Sequence, residues 1–454
     1  MRYATLGLLL FIFYLGSCEK EPVKELPEYY NKLMPQDNEL IRSAKLFGDQ
    51  TSFSRFKFSE KGAAGNFYVV GNLNHSSSST GISTGDNDFQ DYYDPVLLKF
   101  DQNGNKLWEK RPGFVIQRFT VIPPGVLSGQ EMIVVTGYDE NETDFQDESP
   151  DRSRIMIFDG QGNFIDNYSR DFFLSLYDLK IARVTANYVQ LVGVGSVFKS
   201  SLDDNYYPGF FEFKIRKNPV KIDVNSLTVN QLLESKWRHL RFWNLELSAG
   251  DYIVSGSKYK DKRYPEIHVL KFSPNNQESP IWWTNLNNGT RQIYHRRGGL
   301  HIQGQRAFVT GSKEDLDKGK AGGCTDCYWT SGFVASLDLS NGNIIWNKFF
   351  NNSDLSEQIL EVQSNENGLF AVGAMARSWC LSCSQDYTIG NGWVLKLNPT
   401  NGELIGSRTF GDITFRTRLW SLTLEGNSLW GIGQQQYTKS YSKGLLLNLN
   451  TSSI

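Results

Sequence analysis

Seven short apolar runs, each ending in glycine, recur along the chain: NFYVVG at Gly71, EMIVVTG at Gly137, VQLVG at Gly193, DYIVSG at Gly256, RAFVTG at Gly311, GLFAVG at Gly373 and SLWGIG at Gly433. Successive glycines stand 66, 56, 63, 55, 62 and 60 residues apart. A period of this size held over seven copies restricts the chain to an architecture built by repetition, a propeller or a solenoid. Most runs are followed by a second apolar segment and a tight turn, as in DPVLLKFDQNGNKLWEKR, RIMIFDGQGNFIDNY and GWVLKLNPTNGELIGSRTF. The glycine of each turn supplies the positive φ that a hairpin needs. Copy four keeps the hairpin with a longer turn, and copy three, FFEFKIRKNPVKI, reads as degenerate.

With a separate apolar strand before each run, every unit has four strands. The expected fold is therefore an all-β, seven-bladed β-propeller with four-stranded blades. The seventh copy reaches GLLLNLNTSSI with three strands, while ELIRSAKLFGD near the N-terminus is similar to the fourth-strand segment LIGSRTFGD. An N-terminal strand completing the last blade would close the ring and remove an exposed edge.

One arginine followed by an apolar run from Ala4 to Leu15 marks an export signal too short to span a bilayer. Its end, Leu15-Gly16-Ser17-Cys18, resembles the lipobox of bacterial lipoproteins, which implies lipidation of Cys18. The expected organisation is a signal peptide over 1–17, a flexible tether over 18–37 and a propeller over 38–454. That places the protein at the outer membrane through a lipid anchor, on either its periplasmic or its extracellular face. The segment SLDLSNGNIIW resembles quinoprotein-like (PQQ-like) propeller repeats, and with the lipobox the chain is similar to the lipoprotein propeller of the outer-membrane protein assembly machinery. Quinoprotein dehydrogenases typically have eight blades and a calcium-assisted cofactor platform. With seven blades here, the resemblance implies fold and not cofactor. The DQNGN segment, which has the look of a calcium loop, recurs at one blade position and reads as a hairpin turn.

Net charge is −2, which supports neither nucleic-acid binding nor a polybasic membrane patch. The five histidines, His75, His239, His268, His295 and His301, have no metal-ligand spacing, and no nucleophile elbow stands out, so no catalytic residue is assigned. The expected function is that of a protein-binding scaffold or accessory subunit of an outer-membrane complex. A carbohydrate-binding surface lipoprotein is the alternative, and a propeller hydrolase or dehydrogenase has the weaker support.

Three sets of residues are candidates for a site. In a four-stranded blade, the connection between second and third strands lies on the face where the chain passes to the next blade, and here those connections run long. They carry Cys324, Cys327, Cys380 and Cys383, two Cys-x-x-Cys pairs one blade period apart. That spacing makes the two loops neighbours, with the thiols either ligating a tetrahedral zinc or forming disulfides. The same loops carry Tyr92, Tyr93, Tyr206, Tyr207, Tyr328, Trp329, Trp379 and Tyr387, side chains suited to anchoring a protein or stacking on a glycan. Finally, the innermost strands align with Arg55, Arg118, Lys180, Arg241, Arg296 and Arg418 at one register, Gln358 filling the sixth blade. Such a ring either bonds local carbonyls and carboxylates or forms a positive channel mouth for an anionic ligand.

Overall fold

The computed structural model describes residues 40–48, 53–75, 95–139, 152–171, 174–198, 206–232, 237, 239–259, 265–286, 298–314, 327–328, 330–350, 356–376, 379–380, 390–411, 416–438 and 441–454. They form seven antiparallel four-stranded blades arranged in a ring. From axis to rim, blade one runs Phe53–Lys61, Phe67–His75, Pro95–Phe100 and Lys106–Lys110. The innermost strands of the next six blades are Val115–Ile122, Leu174–Val184, Leu240–Ser248, Leu300–Gln303, Ser356–Asn365 and Arg416–Glu425. No helix among the described residues is long and apolar enough to cross a membrane.

Blade seven is completed from the other end of the chain. Ile41–Phe47 pairs antiparallel with Tyr441–Asn450, placing Ala44 opposite Leu447 and Leu46 opposite Leu445. The Phe47 ring then packs on Phe56 and Phe100 of blade one, at centroid distances of 5.7 and 5.2 Å. A single parallel bridge from Phe53 to Ser442 joins blades one and seven, and the Ser442 hydroxyl accepts from Ser54 N at 3.1 Å and donates to Ser54 O at 2.7 Å.

The second strand of each blade carries a continuous apolar run because both faces of that run are buried, each against a different neighbour. Val134 packs in the core between blades two and three, whereas Ile133 and Val135 pack between blades one and two. Leu369 and Ala371 likewise face blade five, and Phe370 and Val372 face blade seven. Alternation of side chains along a strand thus distributes one apolar run between two interfaces. Seven apolar clusters result, one at each junction between blades.

The terminal glycine of each run has a steric reason. In blades one, two, four, six and seven the inner strand bulges immediately after the residue paired with that glycine. Beside the bulge, the carbonyl of the residue preceding the paired one lies close against the glycine Cα. A Cβ at Gly71, Gly137, Gly256, Gly373 or Gly433 would lie 2.0, 1.7, 2.3, 1.8 or 1.8 Å from the carbonyl oxygen of Arg55, Val115, Arg241, Gln358 or Arg418. Glycine is retained where another backbone approaches this closely.

Neighbouring blades are also locked at the rim. Trp108, Trp282 and Trp346 each donate an indole N–H to a turn carbonyl of the following blade, at Gly160 (3.1 Å), Leu339 (3.0 Å) and Pro399 (3.2 Å). Their rings lie over Gly162, Gly342 and Gly402, whose φ values of 81, 75 and 71° require glycine. Lys99 and Lys271 reach the first two of these turns, bonding Gly160 O and Leu339 O, and Lys396 bonds Thr451 O in the turn that follows Tyr441–Asn450 of blade seven. In the DQNGN turn, Asp101 Oδ1 accepts from the backbone N–H groups of Asn103 and Asn105, both at 2.8 Å, as a hairpin turn would have it.

Blade three differs from expectation. All four of its strands are present, at 11, 11, 12 and 12 residues, but the outermost is irregular: Glu212 faces Thr228 and Lys214 faces Asp223, so residues 224–227 bulge out of the ladder. It lacks the Asn-Gly signature because its outer hairpin turns through the two residues Asn218 and Pro219.

Two outcomes follow from this geometry. Gly373→Ala should lower the unfolding free energy by about 1–3 kcal/mol through forced backbone displacement, measured by urea denaturation; a neutral substitution would mean the bulge carbonyl can retreat freely. Removing residues up to Asp49 should lower the melting temperature of the whole ring in one transition, since blade seven loses its outer strand, and an unchanged melting curve would show that the strand contributes nothing to closure.

Candidate functional site

The inner strands are edge strands facing the axis, so their outward backbone groups need partners that no sheet supplies. Side chains of the adjoining blade provide them around the ring. Glu60 accepts from Val121 N at 2.8 Å, Gln117 from Leu176 N at 2.9 Å and Asp178 Oδ2 from Leu245 N at 2.8 Å. Asn244 donates to Gly298 O, and His301 Nε2 meets Ser364 Oγ at 2.7 Å. Gln363 accepts from Leu424 N at 3.3 Å and donates to Leu422 O at 2.8 Å, while Thr423 donates to Ser59 Oγ at 2.8 Å. Every junction between blades therefore carries a polar latch at the axis.

These latches surround a cavity of about 280 Å³ whose walls include Glu60, Arg118, Asp178, Lys180, Glu246 and Glu361. Arg118 Nε donates to Asp178 Oδ1 at 2.9 Å, and its guanidinium lies 4.8 Å from the Phe58 ring centroid. Lys180 Nζ donates to Glu246 Oε1 at 3.1 Å. Burial by itself would lower both bases, but Asp178 beside Arg118 and Glu246 beside Lys180 outweigh it and hold both firmly protonated. Burial pushes the Glu60 and Glu361 carboxyls up to about 7, against the pull of Arg118 and Lys180. Glu246 is also raised by burial despite its lysine partner. His301 is pushed down to about 4 by burial and by the nearby Lys180 charge, and so is neutral at physiological pH.

The expected ring of cations divides into two layers. Counting from the glycine of the second strand, Arg55, Arg241, Gln358 and Arg418 share one register, pairing with Asn72, Ser257, Ala374 and Gln434. Arg118 and Lys180 instead pair with Thr136 and Val192, the residues preceding Gly137 and Gly193. Their counterparts in other blades are Phe58, Asn244, Glu361 and Ser421. The structural counterpart of Arg55 in blade three is Asp178, opposite Val194. The channel wall thus sets four carboxylates against Lys61, Arg118 and Lys180, a mixed surface in which Arg118 and Lys180 are ion-paired with Asp178 and Glu246. In the outer layer, Arg55 and Arg418 both lie over the Trp420 ring, at 4.5 and 5.2 Å from its centroid. Trp420 and Trp243 occupy the bulge positions of their strands, and Trp243 packs on Tyr177 at 4.6 Å. Arg296 lies outside the described residues.

On the loop-bearing face, Cys327–Tyr328 pairs antiparallel with Trp379–Cys380, setting Cys327 opposite Cys380 and Tyr328 opposite Trp379. The long loops of blades five and six are therefore joined by a ladder of their own. Tyr206 and Tyr207 pair with Phe198 and Val197 in blade three, and Tyr207 is half-buried. Cys18, Cys324, Cys383, Tyr92, Tyr93, Trp329 and Tyr387 lie outside the described residues. Among the described residues no cluster of His, Cys, Asp or Glu is placed to hold a metal.

No family model and no curated protein matches the chain. Among solved structures, it is similar to a Trypanosoma rangeli sialidase mutant displaying trans-sialidase activity (8% identity, TM-score 0.41, 90% of this chain and 59% of that one). It is also similar to BBS1N in complex with ARL6DN (10%, 0.43, 90% and 96%) and to the quinohemoprotein alcohol dehydrogenase of Comamonas testosteroni (9%, 0.38, 90% and 76%). The chain thus spans little more than half of the sialidase. Likenesses this distant carry no activity across.

The channel carboxyls have a pH signature. Because Glu361 titrates near 7 in the folded protein and near 4.5 as a free glutamate, the folded state holds more protons than the unfolded chain between those values. Stability attributable to this group falls as pH rises through that window. Glu361→Gln is uncharged throughout. It should be on the order of 1 kcal/mol more stable than wild type at pH 8 and unchanged at pH 4, by urea denaturation. An equal difference at both pH values would show that the channel accommodates the charged carboxylate without loss.

Proposed function

We propose that this protein is a lipid-anchored, non-catalytic scaffold of the bacterial outer membrane, whose loop-bearing face receives a protein partner. The observation that carries this reading is the ladder between Cys327–Tyr328 and Trp379–Cys380, which makes one surface from loops of two blades. A ring latched at the axis and at the rim presents that surface with little further ordering on binding, which keeps the entropic penalty of association low. Tyrosine and tryptophan are the residue types that most often dominate binding energy, and Tyr328 and Trp379 share one rung of this ladder. Glu60, Arg118, Asp178, Lys180 and Glu246 bridge neighbouring blades at the axis, a use that suits a scaffold. Attachment through Cys18 and the tether over 18–37 rests on the lipobox resemblance.

Native protein isolated from membranes after mild cross-linking should carry one partner in fixed stoichiometry. Replacing Tyr328 and Trp379 together by alanine should abolish that association and leave the melting temperature of the ring unchanged. Retention of the partner by this variant, or the absence of any stoichiometric partner, would overturn the proposal.

A further inference from the structure

The other rung of the same ladder sets Cys327 directly opposite Cys380. Opposed residues of antiparallel strands hold their Cα atoms about 4.5–5.5 Å apart. That separation falls inside the range of about 4.4–6.8 Å that disulfides bridge. The two cysteines belong to different blades and stand 53 positions apart in the chain, so the pairing is a product of the ring and not of local sequence. A zinc site with four thiolates would require all four sulfurs around a single ion. Opposition of two cysteines already meets the whole backbone requirement of a disulfide, and only half that of such a zinc site.

We infer that Cys327 and Cys380 form a disulfide that ties the loop of blade five to that of blade six. An exported thiol–disulfide oxidant first forms a mixed disulfide with one cysteine. The thiolate of the other attacks that sulfur, the protein S–S bond forms, and the oxidant leaves as a dithiol. Two protons and two electrons are removed from the protein and the oxidant's own disulfide is reduced, so the step balances. An oxidising compartment, as the export signal implies, supplies that oxidant. The bond restrains the loops that carry Tyr328 and Trp379 without depending on what binds there.

Peptide mapping of unreduced protein tests this directly. After free thiols are blocked, cleavage before Asp326 separates Cys324 from Cys327, and chymotryptic cleavage after Leu381 separates Cys380 from Cys383. The expected product is the Asp326–Tyr328 peptide joined to Cys380–Leu381, lighter than the two reduced peptides by two hydrogens. The link should persist in Cys324→Ser/Cys383→Ser and vanish in Cys380→Ser. Reduction should lower the melting temperature of wild type by several degrees, and should not change that of Cys327→Ser/Cys380→Ser. Purified reduced protein treated with oxidised glutathione should regain the link, which tests the geometry whatever compartment the protein occupies. Bonds within each Cys-x-x-Cys, or four blocked thiols with one zinc per chain, would overturn the inference. So would failure of the glutathione-treated protein to form the link.

Discussion

The contact between a glycine Cα and an inner-strand carbonyl beside a bulge organises this propeller. Where the inner strand bulges, as it does after Phe56, Ile116, Phe242, Ile359 and Leu419, its carbonyl comes so close to the second strand that no side chain fits there. The bulge also bends the strand and re-aims the residues that follow it toward the axis. Arg118, Asn244 and Glu361 follow such bulges directly, so the composition of the channel wall depends on the same local contact that explains the repeat. Blade three bulges elsewhere, between Leu176 and Asp178 and again between Ile181 and Arg183. There an aspartate takes the position that Arg55 holds in blade one.

Polar chemistry around the axis is best understood as the consequence of arranging seven sheets radially. Adjacent inner strands do not pair by backbone ladders, so side chains bridge them, and several of those side chains are charged. Once inside, the charges must be balanced: Arg118 takes Asp178 and Lys180 takes Glu246, leaving Glu60 and Glu361 partly neutralised by protonation near physiological pH. At the rim, tryptophan N–H groups and lysine ammonium groups both donate to turn carbonyls of the next blade, and the tryptophan rings pack over glycine. Axis and rim contacts together hold neighbouring blades against rigid-body tilt.

Much of this was legible in the sequence. Seven glycine-terminated runs and their hairpins declared the number of blades, and the likeness of ELIRSAKLFGD to LIGSRTFGD declared the closing strand, because period-2 burial and turn chemistry are local properties. The neighbouring placement of the two Cys-x-x-Cys loops was legible as well, since one blade period in sequence is one blade step in space. The carboxylates of the channel were not. Glu60, Asp178, Glu246 and Glu361 occupy no common spacing, and they converge only because four different blades point them at one axis.

By itself the sequence determined the architecture, the ring closure and the pairs of residues that meet through strand and turn regularities. Tertiary structure alone decided which inner-strand residue stands level with which. Aligning Arg55 with Arg118 and Lys180 follows the chain period, but the inner hairpin of blade two is longer and the bulges differ in place, so equal sequence spacing does not give equal height along the axis. Register is set by backbone pairing against the second strand, and a shift of one residue turns a side chain to the opposite face. For that reason what looks in the sequence like a single ring of cations is, in the folded protein, two registers: one holds Arg55, Arg241 and Arg418 with Gln358 and Asp178, and the other holds Arg118 and Lys180 with Glu361.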